Sequence, residues 1–402
     1  MKTSGLFTKS SKEIPAEVES KSAQFLIRGG YIDQLGTGIY SYLPLGFKVL
    51  DKIVQIIREE MNAIDGQEIL MPALHPAQNW KITDRYDMNV GFKTKSSTGQ
   101  DYVLGWTHEE IVTPLAKRFV NSYKDLPIAL YQIQSKFRDE ERPKSGLLRT
   151  REFLMKDLYS FHTDSEDLDK YYDRVLEAYK KVYDRVGIGE MTYKTYASGG
   201  SFSKYSHEFQ TVSDAGEDTI YVCEKCHIAV NKEIIKDVEN KCPECGNTEL
   251  KEKKSIEVGN IFKLGTKYSE PFNLKYLTSE GDLKLVEMGC YGIGPSRLLS
   301  TIVEILSDES GPVWPSEVAP FEIYLTGLDE ESLKKAEEVY EKLKDEGKEV
   351  LFDDSTDRAG EKFARAELYG IPERWVISKN TLASSEIEVK KRTQKETSMI
   401  SL

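Results

Sequence analysis

Apolar residues recur at helical spacing after Gly46. Phe47, Leu50, Ile53, Val54, Ile57 and Met61 are separated by charged and polar positions, which predicts a helix that stops at Gly66. Glu68-Ile69-Leu70-Met71-Pro72 predicts a short strand ended by proline. Residues 129–137, Ala-Leu-Tyr-Gln-Ile-Gln-Ser-Lys-Phe, alternate and predict a longer strand. Arg149 to Tyr159 predicts its return strand, and the charged, proline- and glycine-punctuated stretch 138–146 is the hairpin tip. Asp282 to Met288 predicts a strand that leads into Gly289-Cys290-Tyr291-Gly292-Ile293-Gly294. A helix follows from Pro295 to Leu306, opening at the position where a missing N–H costs nothing. Gly311-Pro312-Val313-Trp314-Pro315 reads as a linker. Beyond it the pattern is strand (Phe321 to Thr326), helix (Leu333, Ala336, Val339, Tyr340, Leu343), strand (Glu349 to Phe352), helix (Gly360 to Tyr369) and strand (Trp375 to Ser378). That alternation predicts a small α/β domain.

The chain has 402 residues, enough for two to four domains at roughly 100–200 residues each. It is 39% hydrophobic and 30% charged, a globular composition. No apolar run approaches the ~18–20 residues of a membrane span. Met1-Lys2-Thr3-Ser4-Gly5 opens no signal-peptide core, so a cytoplasmic protein is expected. A net charge of −12 argues against a simple basic nucleic-acid binder but is compatible with a local basic patch. Of five cysteines, four form Cys223-x2-Cys226 and Cys242-x2-Cys245. This is metal-ligand spacing, suited to a tetrahedral zinc held by four sulfurs, with reduced, metal-free thiols as the alternative.

Other constellations carry candidate chemistry. Arg138 and Glu140 lie two apart, on one face of a strand, where a guanidinium can grip a carboxylate or phosphate. Arg149 and Arg151 repeat the spacing, and Phe153 can stack on a flat ring. Together they suit a nucleotide; a solvated hairpin with cross-strand ion pairs is the plainer alternative. Gly292-Ile293-Gly294-Pro295-Ser296-Arg297 lets a backbone approach a ligand and puts Arg297 in a first helical turn, which favours an anion. It also reads as a tight turn before a core helix, and it is neither a Rossmann fingerprint nor a P-loop. Thr107 and Glu109 can hold an ammonium or imino group; otherwise Thr107 caps a helix and Glu110 completes the capping box. Ser198-Gly199-Gly200-Ser201 precedes His207, which is either a ligand contact or a satisfied core residue.

In this order the segments resemble class II aminoacyl-tRNA synthetases, and more closely the bacterial-type prolyl-tRNA synthetases, over nearly the whole chain. Gly38 to Gly46 with the following helix and Met71-Pro72 is similar to motif 1 of that class. Phe137-Arg138-Asp139-Glu140 through Arg151 to Asp157 matches motif 2, Glu287 to Arg297 matches motif 3, and Thr107-His108-Glu109 matches the imino-group loop. The resemblance implies an α+β catalytic domain, an antiparallel sheet flanked by helices. It adds a small zinc-ribbon-like insert and a C-terminal α/β anticodon-binding domain. The divisions expected are residues 1–222 and 255–312 for the catalytic domain, 223–254 for the cysteine insert and 319–402 for the anticodon-binding domain.

By the same resemblance, ATP with Mg²⁺ and L-proline give prolyl-adenylate, and the prolyl group passes to the 3′ end of tRNA(Pro). Arg138, Glu140 and Arg297 would be catalytic. Arg138, Glu140, Arg149, Phe153, Ser296 and Arg297 would bind ATP. Thr107, Glu109, Arg138, Met155, His207 and Cys290 would bind proline, and Arg142 would lie near the tRNA acceptor stem. Cys223, Cys226, Cys242 and Cys245 would hold a structural Zn²⁺. The family's motif 1 implies a homodimer.

Two departures stand out. Only the short cysteine segment separates motifs 2 and 3, where many bacterial members carry a large editing domain. No editing in cis is therefore expected, and a separate deacylase becomes a candidate partner, because missing methylene contacts discriminate by only ~1–3 kcal/mol. Phe202 to Tyr205 are extra residues before His207, so no ATP contact is assigned to Ser201. The competing readings are a catalytically silent synthetase-like tRNA-binding or regulatory protein, a zinc-ribbon nucleic-acid binder, and a synthetase for threonine, serine, glycine or histidine. The presence of Arg138, Glu140 and Arg297 favours catalysis. The mixed charge around the cysteines argues against the zinc-ribbon reading. Lys362, Arg365, Lys390, Lys391 and Arg392 are candidates for reading anticodon bases.

Overall fold

The computed structural model describes residues 1–11, 13, 18, 20–143, 145–199 and 205–402. Gly200 to Lys204 lie outside the described residues, and Ser201 with them. The chain forms two compact units, one of residues 1–36, 40–53 and 302–402, the other of residues 37–39 and 54–301.

The second unit is built on nine strands: β1 (Gly66–Glu68), β2 (Ile128–Phe137), β3 (Glu152–His162), β4 (Thr192–Ser198), β5 (Tyr205–Val212), β6 (Asp218–Cys223), β7 (Ile228–Asn231), β8 (Lys251–Gly265) and β9 (Glu287–Ile293). Their order is β5-β4-β7-β6-β8-β9-β3-β2-β1, and β5 also pairs with β8. That extra pairing closes β5, β4, β7, β6 and β8 into a ring, and only β4–β7 and β1–β2 are parallel. One face of the central strands packs against the helix Ser165–Arg185, where Tyr171, Tyr172, Tyr179 and Tyr183 are buried. Asp164 caps this helix by accepting the Asp167 N–H at 2.9 Å, and Glu166 and Asp167 complement the helix dipole. The other face carries polar side chains, described below.

Several boundaries differ from the sequence reading. The helix Pro44–Asn62 begins on a proline but stops before Gly66; Asp65 turns the chain at φ 64°, and Gly66 opens β1. Strand β1 ends at Glu68, so Ile69 to Pro72 is not strand. A 3-10 turn at Gly146–Leu148 occupies the hairpin tip, and β3 starts at Glu152, not Arg149. Gly292 and Ile293 are paired along β9 opposite β3 and β8 rather than opening a tight turn. His108 is the N-cap of Glu109–Ala116, with no side-chain cap from Thr107 and no capping box at Glu110. Glu110 is instead buried in an ion pair with Arg85 at 2.9 Å.

In the first unit, β10 (Ile323–Gly327), β11 (Val350–Asp353), β12 (Glu373–Ile377), β13 (Glu386–Lys391) and β14 (Thr397–Ser401) form a sheet ordered β11-β10-β12-β13-β14. The first three are parallel, linked through Glu330–Asp345 and Ala359–Tyr369, as the α/β reading expects; the β13–β14 hairpin is additional. The α-amino group of Met1 donates to the Val350 carbonyl at 2.7 Å, so the chain start covers the β11 edge. Gly311 to Pro315 is no free linker, because the buried Trp314 indole donates to the Tyr31 hydroxyl at 3.0 Å. Among the described residues no helix is long and apolar enough to cross a membrane.

Candidate active site

Strand alternation decides which side chains face the site. On β3, Phe153, Met155, Asp157 and Tyr159 share one face, and six steps of about 3.3 Å between the first and last give this row a length of about 20 Å. Cross-strand partners extend it: Gly292 lies opposite Asp157, Cys290 opposite Tyr159, and Gln132 opposite Asp157. A Cβ on Gly292 would meet Asn260 Oδ1 at 3.0 Å and Met155 Sδ at 3.9 Å, so glycine there keeps the floor of the cleft open.

One end of this face is cationic. A cavity of about 250 Å³ is lined by Arg138, Glu140, Arg149, Asp218, Glu257 and Arg297 among others. An adjoining cavity adds Phe153, Met155, Asn260, Gly292 and Gly294. Arg138 and Glu140 lie beyond the end of β2, so their common orientation comes from the turn and not from a strand. The Arg138 guanidinium sits over the Phe153 ring at 5.1 Å, and its Nε has no hydrogen-bond partner among the described residues. Burial first, and then the nearby Arg297, hold Arg138 below the usual arginine range. Arg297 donates through Nε to the Leu148 carbonyl and through Nη1 to the Glu257 carbonyl, both at 2.9 Å. Arg149 donates to Glu140 at 2.8 Å and to Glu217 at 2.9 Å, closing the outer wall. Ser296 is buried, and its hydroxyl accepts the Leu154 N–H at 2.9 Å, which joins the helix Pro295–Ile305 to β3.

Asp218 and Glu257, which the sequence reading passed over, line the same cavity, and Glu208 is tied to Asp218 through Gln210. The Gln210 amide donates to Glu208 at 2.9 Å and Asp218 at 2.8 Å, and Asn260 donates to Glu257 at 2.9 Å. Burial and the neighbouring Glu257 push Glu208 up to about 8. This crowding of negative charge beside two arginines is suited to a cation carried by a phosphate chain. The alternation Glu208-x-Gln210 was the available signal.

The other end offers a carboxylate. Glu109 accepts the Thr107 hydroxyl and lies 3.2 Å from the Cys290 thiol, which burial and Glu109 push far above its ordinary range. Arg85 is held by Glu110 at 2.9 Å and lies 3.6 Å from Glu109. The Tyr159 hydroxyl accepts the His108 backbone N–H at 2.9 Å, so the strand face and the Thr107–Glu109 loop are joined.

His207 is placed elsewhere, which corrects its reading as a ring-pocket contact. It pairs with Ile261 on β8, and its Nδ1 is 2.8 Å from the Tyr172 hydroxyl of the helix Ser165–Arg185. It therefore points to the face opposite Glu208, and burial lowers it to about 4. Arg142 is exposed at the hairpin tip. Of the cations considered for base reading, Lys362 is buried and donates to the Gly327 carbonyl at 2.8 Å. Arg365, Lys390 and Arg392 are tied to Asp353, Glu367 and Asp308 respectively, while Lys391 is exposed.

The four insert cysteines converge: their sulfurs all lie within 4.8 Å of one another, and Cys223 and Cys245 are 3.8 Å apart. Zinc–sulfur bonds of about 2.3 Å put tetrahedral sulfurs about 3.8 Å apart, so the set fits that ion. The Cys242 carbonyl accepts the Gly246 N–H at 2.9 Å, and Gly246 at φ 71° turns the knuckle. The insert is not a separate appendage, since β6 and β7 are part of the ring.

A family model of the tRNA synthetase class II core domain (G, H, P, S and T) matches residues 92–306, and one of an anticodon binding domain matches residues 318–402. A proline–tRNA ligase of Ehrlichia chaffeensis is 40% identical over 422 residues, covering 100% of this chain and 98% of the relative. One of Anaplasma phagocytophilum is 39% identical with the same coverage. One of Thermodesulfovibrio yellowstonii is 33% identical over an alignment of 559 residues, covering 100% of this chain and 97% of the relative. Among solved structures, the prolyl-tRNA synthetase of Cryptosporidium parvum complexed with L-proline and AMP has a TM-score of 0.76 at 18% identity, covering 94% of this chain and 72% of that one. That of Giardia lamblia in complex with prolyl-adenylate has a TM-score of 0.77 at 20% identity, with the same coverage. These last two likenesses establish the fold.

Proposed function

The chain belongs to the proline–tRNA ligase family of class II aminoacyl-tRNA synthetases, and from that premise we infer that it activates L-proline with ATP and transfers the prolyl group to tRNA. It is an ATP-dependent ligase of compact form, with no large insertion between motifs 2 and 3. The observation that carries the site assignment is the polarity of one strand face: Arg138, its Nε unpartnered among the described residues, beside Arg297 at one end and a buried carboxylate at the other.

In this reading Glu109 and Thr107 accept the two N–H groups of the substrate's secondary ammonium, and Met155 and Cys290 border its ring. Arg138 bridges the proline carboxylate and the α-phosphate. It stabilises the negative charge that grows as the carboxylate oxygen attacks phosphorus and pyrophosphate departs. Phe153 stacks on adenine, Glu140 accepts the adenine amino group, and Arg149 keeps Glu140 oriented. Arg297 holds the γ-phosphate, and Ser296 supports that site from behind. Glu257, with Asp218 and Glu208, would hold Mg²⁺, which neutralises the triphosphate. In the second step the ribose hydroxyl at the tRNA 3′ end attacks the prolyl carbonyl and releases AMP, with Arg142 beside the acceptor stem. Residues 319–402 act as the anticodon-binding domain, 223–254 as a zinc-stabilised insert, and 1–222 with 255–312 as the catalytic domain. A homodimer is supported by exposed Leu70 and Leu74, a separate deacylase by the missing insertion, and a cytoplasmic setting by the translation role.

Amino-acid-dependent ATP–pyrophosphate exchange tests the reading. Exchange strongest with proline among proline, alanine, threonine and serine is expected. No exchange with any of them, in a folded sample with Mg²⁺, would leave a tRNA-binding or regulatory relative.

A further inference from the structure

We propose that the buried Lys136–Asp157 ion pair, acting through the Tyr159 hydroxyl, is a positioning device for the substrate-nitrogen site formed by Thr107 and Glu109. The proposal rests on the functional reading above and adds residues to which that reading gives no contact with substrate or nucleotide. Lys136 Nζ lies 2.7 Å from Asp157 Oδ1, and neither residue is more than 2% exposed. Asp157 Oδ2 accepts the Tyr159 hydroxyl at 3.0 Å and the Gln132 amide at 3.0 Å. The Tyr159 oxygen in turn accepts the His108 backbone N–H at 2.9 Å and lies 3.4 Å from the Thr107 hydroxyl. The Gln132 carbonyl accepts the Met71 N–H at 3.0 Å. The rings of His75 and His108 close on the Pro72 carbonyl at 2.9 and 3.0 Å. One carboxylate thus fastens both backbone segments behind the nitrogen site.

Charge gives the second argument. Arg85 is matched to Glu110, and Lys136 to Asp157, each within hydrogen-bonding distance. Glu109 is left as the carboxylate whose nearest cation is 3.6 Å away, and that is the group an incoming ammonium completes. Without Lys136, the Asp157 charge would be uncompensated in the core and would compete for the same substrate cation. A buried pair is a costly way to gain stability, since apolar side chains of similar volume hold a core at least as well. Its value here is orientation, because Asp157 Oδ2 accepts two donors while Tyr159 presents its oxygen to the loop.

The test is pyrophosphate exchange, with proline and ATP varied separately, on the parent chain, Tyr159→Phe, Lys136→Met and the double variant Lys136→Met/Asp157→Asn, with thermal melting of each. Tyr159→Phe keeps the ring and leaves the His108 N–H without its acceptor. It is expected to raise the proline KM about tenfold, with the ATP KM within about twofold of the parent. Lys136→Met is expected to raise the proline KM further. The double variant removes both charges and keeps an amide oxygen for Tyr159, so it recovers most of that loss; it carries the test should a single variant fail to fold. A proline KM within about twofold of the parent in Tyr159→Phe overturns the proposal. So does a parallel rise in both KM values that follows the fall in melting temperature, which would mark a general structural role. A parent chain without proline-dependent exchange overturns the functional reading instead, and this proposal with it.

Discussion

Replacing Glu109 by glutamine tests the amino-acid end of the site most directly. The change keeps shape and volume and removes one charge from a side chain that is 2% exposed. Its surroundings set the magnitude. Losing one partner of a buried, hydrogen-bonded charge pair costs about 2–5 kcal/mol. Arg85, at 3.6 Å, already offsets part of the Glu109 charge, and Thr107 remains as a second acceptor for the substrate nitrogen. The expected loss is therefore at the lower end, about 2–3 kcal/mol, or roughly 30- to 150-fold in kcat/KM for proline. The ATP KM should hold, because Arg138, Phe153 and Arg297 stand at the far end of the strand face. Exchange assays with each substrate varied at saturation of the other give both numbers. A loss in proline kcat/KM below about threefold refutes the assignment of Glu109 to the substrate nitrogen. An equal rise in the ATP KM shows that the site collapsed, and refutes the separation of the two ends.

Burial lowers His75 and His207 to about 4 and His108 to about 2, whereas the unfolded chain protonates them near 6.5. The unfolded state then binds more protons below pH 6.5. Their contribution is complete above that pH and is lost as pH falls toward 4, by up to about 1.4 kcal/mol per pH unit for each histidine. Proton NMR titration of the imidazole rings between pH 7.5 and 5 should find these three more than half neutral throughout, and a midpoint near 6.5 for any of them would contradict the burial argument. Metal analysis should find about one zinc per chain, with chelation lowering the melting temperature and Cys245→Ser abolishing retention; a stable chain purified with zinc but free of it would refute the tetrahedral site. Alanine, which has two fewer carbons than proline, should support exchange at roughly 10²- to 10⁴-fold lower kcat/KM, with no hydrolysis of alanyl-tRNA by this chain, and measurable deacylation would contradict the absence of editing in cis.

Alternation made β2 legible because Ala129, Tyr131 and Ile133 recur at period two, but period two does not say which face meets water. Gln132 and Lys136 look like a solvent row in sequence, yet both are fully buried, because Asp157 on the neighbouring strand supplies their partner. Glycine had the opposite effect. Gly292 and Gly294 suggested a turn, whereas pairing with β3 and β8 carries the strand through Gly292, and its absent side chain becomes cleft volume. The pairing of β5 with β8 is non-local and leaves no signal in either segment, so the insert was legible as a cluster of four convergent cysteines but not as part of a closed ring. Glu386, Glu388, Lys390 and Lys391 hid the last hairpin, whose outward charges mask a buried Ile387 and Val389.

The two ends of the site are charged by different means, and the difference bears on catalysis. A cation neutralised by a carboxylate has little left to give a developing oxyanion. Arg297 is fixed chiefly by the carbonyls of Leu148 and Glu257, which orient its guanidinium without cancelling its charge, and the Glu257 carboxylate stays 3.7 Å away. Arg138 is set over an aromatic face, with its Nε unpartnered among the described residues. Both are oriented before substrate arrives, so under the proposed function their stabilisation grows with the charge on phosphorus and requires little rearrangement as the bond forms. At the other end the carboxylate meets a charge that the substrate brings and keeps through the first step, so its contribution is made equally in ground and transition states. Variants at Arg138 and Arg297 should therefore fall mainly in kcat, and variants at Glu109 mainly in the proline KM. A split of that kind in one set of exchange data would separate residues that stabilise the reaction from residues that recognise the amino acid. A uniform loss across all three would show that the ends are not independent.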